Sequence, residues 1–70
     1  MQILVFKTNL SDRRLVNAVE PHLENVEGIL KWNVDLQDCD YVLRVISNSA
    51  GAGEITDLLL NNGHYCEELA

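Results

Sequence analysis

Hydrophobic spacing in this chain switches between two periods, and the switches follow a fixed order within only 70 residues. Alternation of apolar with polar residues is typical of strands, and apolar residues three and four positions apart are typical of helices. The order along the chain is strand, helix, strand, strand, helix, strand, with no repeat or linker. A chain this short buries only about 60% of the surface that its unfolded form exposes. We therefore expect one domain, residues 1–70, without a large enclosed active site.

The first part of the chain predicts a strand and an amphipathic helix. Residues 3–7 are rich in β-branched and aromatic side chains, and Ser11 or Asp12 then offers a side-chain oxygen as the helix N-cap. Pro21 is expected to kink this helix, and Gly28 is expected to end it. The apolar positions recur every three or four residues and so share one buried face: Leu15, Val16, Val19, Leu23 and Val26.

The second part predicts a hairpin, a further helix and a closing strand. Residues 29–36 alternate apolar with polar side chains, and residues 41–47 form the partner strand across a turn at 37–40. Small residues then precede a helix at 54–60, and a last strand follows at 64–69. The predicted fold is therefore α+β, a ferredoxin-like βαββαβ sandwich with a four-stranded antiparallel sheet and two helices on one face.

Composition excludes several classes of function. Eleven Asp and Glu against five Lys and Arg give a net charge of −6, which repels phosphate backbones, so nucleic acid is not an expected partner. No segment approaches the roughly 20 apolar residues of a membrane span, and we expect no membrane insertion and a cytoplasmic protein. Cys39 and Cys66 lie outside any C-x-x-C pair and are expected to be free thiols. No catalytic triad or phosphate-binding loop can be assembled, so we do not expect an enzyme.

Spacing through most of the chain resembles that of heavy-metal-associated domains, the family of copper chaperones and of the N-terminal arms of metal-pumping ATPases. That family has an L-x-x-x-x-G-V step, a V-x-V-x-L strand and a glycine followed by Tyr, Phe or Lys before the last strand. The counterparts in this chain are Leu23 to Gly28-Ile29, then Trp32, Val34 and Leu36, then Gly63-His64. The resemblance implies the same βαββαβ fold.

The resemblance fails at the metal ligands. Aligned without gaps backwards from Gly28, the family's M-x-C-x-x-C loop places its methionine on Leu10 and its two cysteines on Asp12 and Leu15. Cu(I) prefers thiolates, for which one carboxylate is a poor substitute. Asp12 is better explained as a helix cap and Leu15 as a core residue. The chain is therefore similar to a degenerate family member that lacks the metal loop.

A displaced metal site is the alternative. In the predicted topology the β1–α1 loop, the β2–β3 hairpin and the α2–β4 turn lie at one end of the sheet, which places Asp12, Cys39 and His64 there with Cys66 close by. In the resembling family the residue at the His64 position leans over the metal, and histidine and thiolate are zinc and copper ligands. The competing interpretations are a surface thiol at Cys39, a loop histidine and a small core hydrophobe at Cys66. No cofactor is expected beyond weak copper or zinc binding.

The face of the sheet without helices carries the second candidate site. Alternation directs Ile3, Val5, Val42 and Ile46 to that open face, on two adjacent central strands. An apolar patch of this kind marks an interaction surface, whereas β-propensity alone also explains it. Burying four aliphatic side chains contributes several kcal/mol at about 25 cal/mol per Å². We therefore expect a non-catalytic interaction or accessory module that binds a protein partner or forms a weak homodimer through this face. The alternative is a copper- or zinc-handling accessory protein that uses Cys39 and His64.

Overall fold

The structure is a computed structural model that describes residues 1–69. It is a small α+β domain with a four-stranded antiparallel sheet and two helices, which confirms the predicted class. The strand order across the sheet is β2-β3-β1-β4. In chain order the elements are β1 (Gln2–Thr8), α1 (Arg13–Glu24), β2 (Ile29–Val34), β3 (Leu43–Ser47), α2 (Ala52–Asn61) and β4 (Cys66–Glu68).

One hydrophobic core joins both helices to one face of the sheet. Alternate residues of the two central strands are buried, while their neighbours point to the opposite, open face. The helices contribute side chains spaced by three and four residues, as the sequence predicted. The buried cluster consists of Leu4, Phe6, Leu10, Val16, Val19, Leu23, Leu43, Val45, Ile55, Leu59 and Cys66.

Helix α1 begins as predicted and ends earlier than predicted. Its N-cap is Asp12, whose Oδ1 accepts a hydrogen bond of 3.0 Å from the Leu15 N–H. The helix runs through Pro21 but ends three residues later, with Asn25 as the C-cap. The prediction that Gly28 ends the helix was wrong, because a proline removes a backbone donor and crowds the preceding turn, which favours an early end.

Gly28 instead lies where the α1–β2 loop contacts the β3–α2 loop, at the end of the sheet where β2 begins and β3 ends. Its φ of +99° lies in the region that favours glycine. Its carbonyl accepts hydrogen bonds from the Asn48 N–H at 2.7 Å and from the Ser47 hydroxyl at 3.4 Å. A Cβ at this position would meet the Ser49 hydroxyl and lie 2.8 Å from the Ala50 nitrogen. The close approach of these loops therefore requires glycine.

The hairpin between β2 and β3 is longer than the predicted turn at 37–40. The Asp35 carboxylate accepts from the Gln37 N–H at 3.0 Å, and the Asp38 carboxylate accepts from the Asp40 N–H at 2.8 Å. Such local bonds compete with the strand ladder. Tyr41 has a φ of +46°, which interrupts a regular strand. The two strands therefore end at Val34 and begin at Leu43, not at residues 36 and 41.

The boundaries of the last two elements also differ from the prediction. Helix α2 begins at Ala52, two residues before the predicted start, with Gly51 as its N-cap. Asn62 is its C-cap, and Gly63 follows with a φ of +84°. Strand β4 is limited to Cys66–Glu68 instead of residues 64–69, because the N–H of His64 still donates to the Leu59 carbonyl at the helix end.

Gly28→Ala should destabilise the fold by about 1–3 kcal/mol, because alanine is strained at this φ and its Cβ overlaps the facing loop. The measurement is the urea dependence of the circular dichroism signal. Gly53→Ala is the matched control, since Gly53 lies in α2 with open space around it. It should be neutral or stabilising by up to about 1 kcal/mol. Equal stabilities for the two variants would contradict the proposed role of Gly28.

Candidate functional site

Three loops meet at the upper end of the sheet through hydrogen bonds between segments distant in sequence. At the end of β1, the Thr8 N–H donates to the Asp40 carbonyl at 3.1 Å, and its hydroxyl donates to the Tyr41 carbonyl at 2.6 Å. The Asn9 side chain accepts from the Tyr65 N–H at 3.0 Å. The end of β1 therefore contacts the hairpin, and the β1–α1 loop contacts the α2–β4 turn. The three loops lie at one end of the sheet, as the sequence predicted.

The positions that correspond to the metal loop of the resembling family are used for folding. Leu10 is fully buried in the core, and Leu15 packs against that core from the first turn of α1. Asp12 uses one carboxylate oxygen for the helix cap, and the other lies 3.8 Å from the exposed Arg14 guanidinium. These contacts agree with the capping and packing interpretation.

The two cysteines lie in different environments. Cys66 is buried on the inner side of β4, and burial raises the pKa of its thiol to about 11, against a smaller lowering of that pKa by the hydrogen bond to Thr56. Few molecules of the protein would carry a thiolate there at neutral pH, and the thiolate is the form that ligates metals. Cys39 is exposed in the hairpin loop. Only Cys39 is therefore an accessible thiol.

The hairpin brings Cys39 together with its two neighbours in sequence. Within residues 1–69, the group of metal-ligand side chains whose ligand atoms lie within 4.8 Å of one another is Asp38, Cys39 and Asp40. The predicted set of Asp12, Cys39, His64 and Cys66 does not form such a group. Both carboxylates already have partners, because Asp38 accepts from a backbone N–H and the Asp40 carboxylate lies 3.7 Å from Lys7 Nζ. Asp38 and Asp40 were not among the ligands predicted from the sequence, although both are adjacent to Cys39 in it.

The open face of the sheet carries the predicted aliphatic residues. Ile3 lies directly opposite Ile46 on the neighbouring strand, and its side chain is 61% exposed. Val5 lies opposite Arg44 and is half-buried. Val42 precedes β3 instead of lying in it, but its carbonyl accepts from the Asp35 N–H at 2.9 Å, so it continues the ladder. The four residues therefore lie on one face. Ile3, Val5 and Ile46, on the two central strands, form the aliphatic centre of that face, and Arg44 separates Val42 from Ile46 along β3.

Three of the five Lys and Arg residues of the chain also lie on this face. Arg44 is in β3, Lys7 lies on the same face of β1 as Ile3, and Lys31 of β2 lies opposite Ile46. A shallow depression of about 200 Å³ lies between Lys31 and Arg44, and its lining consists of Lys31, Trp32, Asn33, Arg44 and Ile46. The open face is therefore aliphatic at its centre and rich in cations, although the chain is acidic. Strand alternation could have identified these cations from the sequence.

Strand β4 contributes the outer rim of the open face. Glu67 lies opposite Lys7, and the Leu69 N–H donates to the Val5 carbonyl at 2.8 Å. The Tyr65 hydroxyl donates to the Glu67 carboxylate. This hydrogen bond raises the pKa of Tyr65. Leu69 extends the aliphatic part of the face beyond the four predicted residues.

Neither helix in the described part of the chain is long and apolar enough to cross a membrane. No protein-family model matches the chain, and no curated protein or solved structure gives a significant match. The function must therefore be inferred from the geometry and chemistry of these residues.

The thiol of Cys66 should react with Ellman's reagent at least about tenfold more slowly than that of Cys39 at pH 8, because it is buried and its pKa is raised. The variants Cys39→Ser and Cys66→Ala isolate the two reactions.

The raised pKa of Cys66 also predicts a pH dependence of stability. A thiol whose pKa rises from 9.0 to about 11 on folding favours the folded state below pH 9. That contribution should be lost as the pH rises from 9 to 11. Urea unfolding of wild type and Cys66→Ala at both pH values measures it, and an equal decline in the two proteins would contradict this assignment.

Proposed function

We propose that this chain is a non-catalytic protein-interaction module whose open sheet face binds a partner protein. We further propose that its architecture is ferredoxin-like and related to heavy-metal-associated domains, with the metal loop replaced by helix-capping and core residues. The strand order supports this, because each helix connects two strands that are separated by one intervening strand, as in a split βαβ unit.

The observation that carries the proposal is the pair Ile3 and Ile46 on the two central strands of an uncovered sheet face. Ile3 remains 61% exposed although its cross-strand neighbour is an equally apolar side chain. Val5 follows Ile3 on the same face of β1, and Leu69 lies beside Val5, so aliphatic residues occupy adjoining positions of this face. A continuous apolar surface with a polar rim is characteristic of an interaction site.

The charges of this face favour an acidic partner. Arg44 and Lys31 flank the aliphatic centre, and Lys7 lies at its edge. A second copy docked face to face would bring the same cations together, which disfavours self-association through this surface. A partner with carboxylates around an aliphatic patch would be complementary to it.

The double variant Val5→Lys with Ile46→Glu should abolish partner capture, because it places two charges in the aliphatic centre while the net charge of the chain stays at −6. The measurement is affinity capture from cell extract by the wild-type and variant proteins, with circular dichroism confirming that each is folded.

Leu60→Gln is the matched control, since Leu60 is an exposed aliphatic residue on α2, away from the sheet. Its capture profile should equal that of the wild type, and raised salt should weaken capture by both. Recovery of the same proteins by the double variant would contradict the proposal.

Metal handling is a second candidate function, which the grouping of Cys39 with Asp38 and Asp40 favours. If the chain binds metal in this loop, reduced protein should bind Zn²⁺ or Cu(I) with micromolar or tighter affinity. The variant Cys39→Ser with His64→Ala should lose that binding, and Cys66→Ala should retain it. Calorimetric titration measures all three proteins. Wild-type binding weaker than micromolar would eliminate this function.

A further inference from the structure

Strand β2 forms an exposed edge of the sheet, and its outward backbone groups can be assigned. The Asp35 N–H donates to the Val42 carbonyl at 2.9 Å, and these two residues continue the register of β2 and β3. Hydrogen-bonded and non-hydrogen-bonded pairs alternate along an antiparallel ladder. The N–H and C=O groups of Trp32 and Val34 therefore point away from β3, towards the outside of the sheet.

A groove of about 360 Å³ runs along this edge between β2 and α1. Arg13 lines it on the first turn of α1, and Glu20 and Glu24 line it on the later turns. Only four residues connect Glu24 to Ile29, so the two glutamates lie at the start of β2. Arg13 therefore lies towards the other end of the strand, and the charges along the groove change sign from end to end.

We propose that a second copy of the chain occupies this edge, pairing β2 with β2 antiparallel about a two-fold axis at Asn33. Trp32 then lies opposite Val34 of the second copy, and the two residues exchange backbone hydrogen bonds. Lys31 lies opposite Asp35 of the second copy, and the symmetry repeats this pair. The result is a continuous eight-stranded sheet with all helices on one side.

Charge selects this register over its neighbours. An axis at Lys31 would oppose two lysines, and an axis at Trp32 or Val34 would form no Lys31–Asp35 pair. The axis at Asn33 gives two such pairs, and cross-strand pairs of opposite charge stabilise a sheet. The same symmetry places α1 antiparallel to α1 of the second copy. Arg13 of one copy is then directed towards the end of the groove that carries Glu20 and Glu24 of the other. The edge is therefore self-complementary, as an isologous interface requires.

The opposite edge lacks these properties. Strand β4 has only three residues, whereas β2 pairs regularly with β3 from Lys31 to Val34 after an irregularity between Ile29 and Lys31. Short edge strands are poor templates for pairing. A lysine on an edge strand normally prevents such pairing. Here the counter-charge of Lys31 is Asp35, two positions beyond Asn33 and directly after the end of β2, so two-fold pairing satisfies the lysine. The edge shares Lys31 with the open face, but the aliphatic side chains of that face take no part in the pairing.

Complementary charge reversal tests the proposal. Sedimentation equilibrium should show a concentration-dependent dimer for the wild type, and Lys31→Glu and Asp35→Lys should each raise its dissociation constant by about tenfold or more. An equimolar mixture of the two variants should dimerise, because each chain then offers the charge that the other requires. Recovery in the mixture also excludes misfolding as the cause of the single-variant effects.

Arg14→Glu and Asp57→Lys are matched controls that change the charge by the same amounts at exposed helix positions outside the groove, and both should dimerise as the wild type does. The amide protons of Trp32 and Val34 should become protected from exchange as protein concentration increases. A wild-type monomer at millimolar concentration would overturn the proposal. So would a dimer that both edge variants preserve, or one that their mixture fails to restore.

Discussion

Burial on one face of the sheet is the constraint on which the remaining features depend. Within residues 1–69, two helices pack against one face of the four strands, so Phe6, Val45 and the other inward side chains are covered while their neighbours are not. The core fixes the strand register, because a shift by one residue would exchange the two faces. It thereby also fixes which side chains lie on the open face and which backbone groups lie on the outer edge of β2.

The sequence predicted those elements whose signals are local and periodic. The cap at Asp12, the apolar face of α1 and the inward side of β1 all follow from spacing, and the structure agrees. The element ends were less predictable, because they depend on competition between neighbouring bonds. Asp35 and Asp38 bind backbone groups in the hairpin, and Pro21 brings an early end to its helix, whereas spacing alone favoured longer elements.

In the candidate sites, too, spacing predicts some features and fails to predict others. Alternation is sufficient to place Ile3 and Val5 on the open face, but the direct pairing of Ile3 with Ile46 depends on register, which is a property of the assembled sheet. At the end of the sheet where the three loops meet, topology predicts less than the structure shows. It brings the right segments together, yet the positions of individual side chains separate Cys66, on the buried side of β4, from the exposed Cys39. Proximity of segments therefore does not imply proximity of ligand atoms.

The orientation of the β2 edge has a consequence for how the open face would bind. In a dimer whose axis is perpendicular to the sheet, the two aliphatic centres face the same direction on one continuous platform. A partner with two matching segments could then engage both, and the second contact would form at the high effective concentration set by the first. Modest affinity at each face would become tight binding for bivalent partners only. A chain of 70 residues could in this way discriminate partners by the number and spacing of their binding segments.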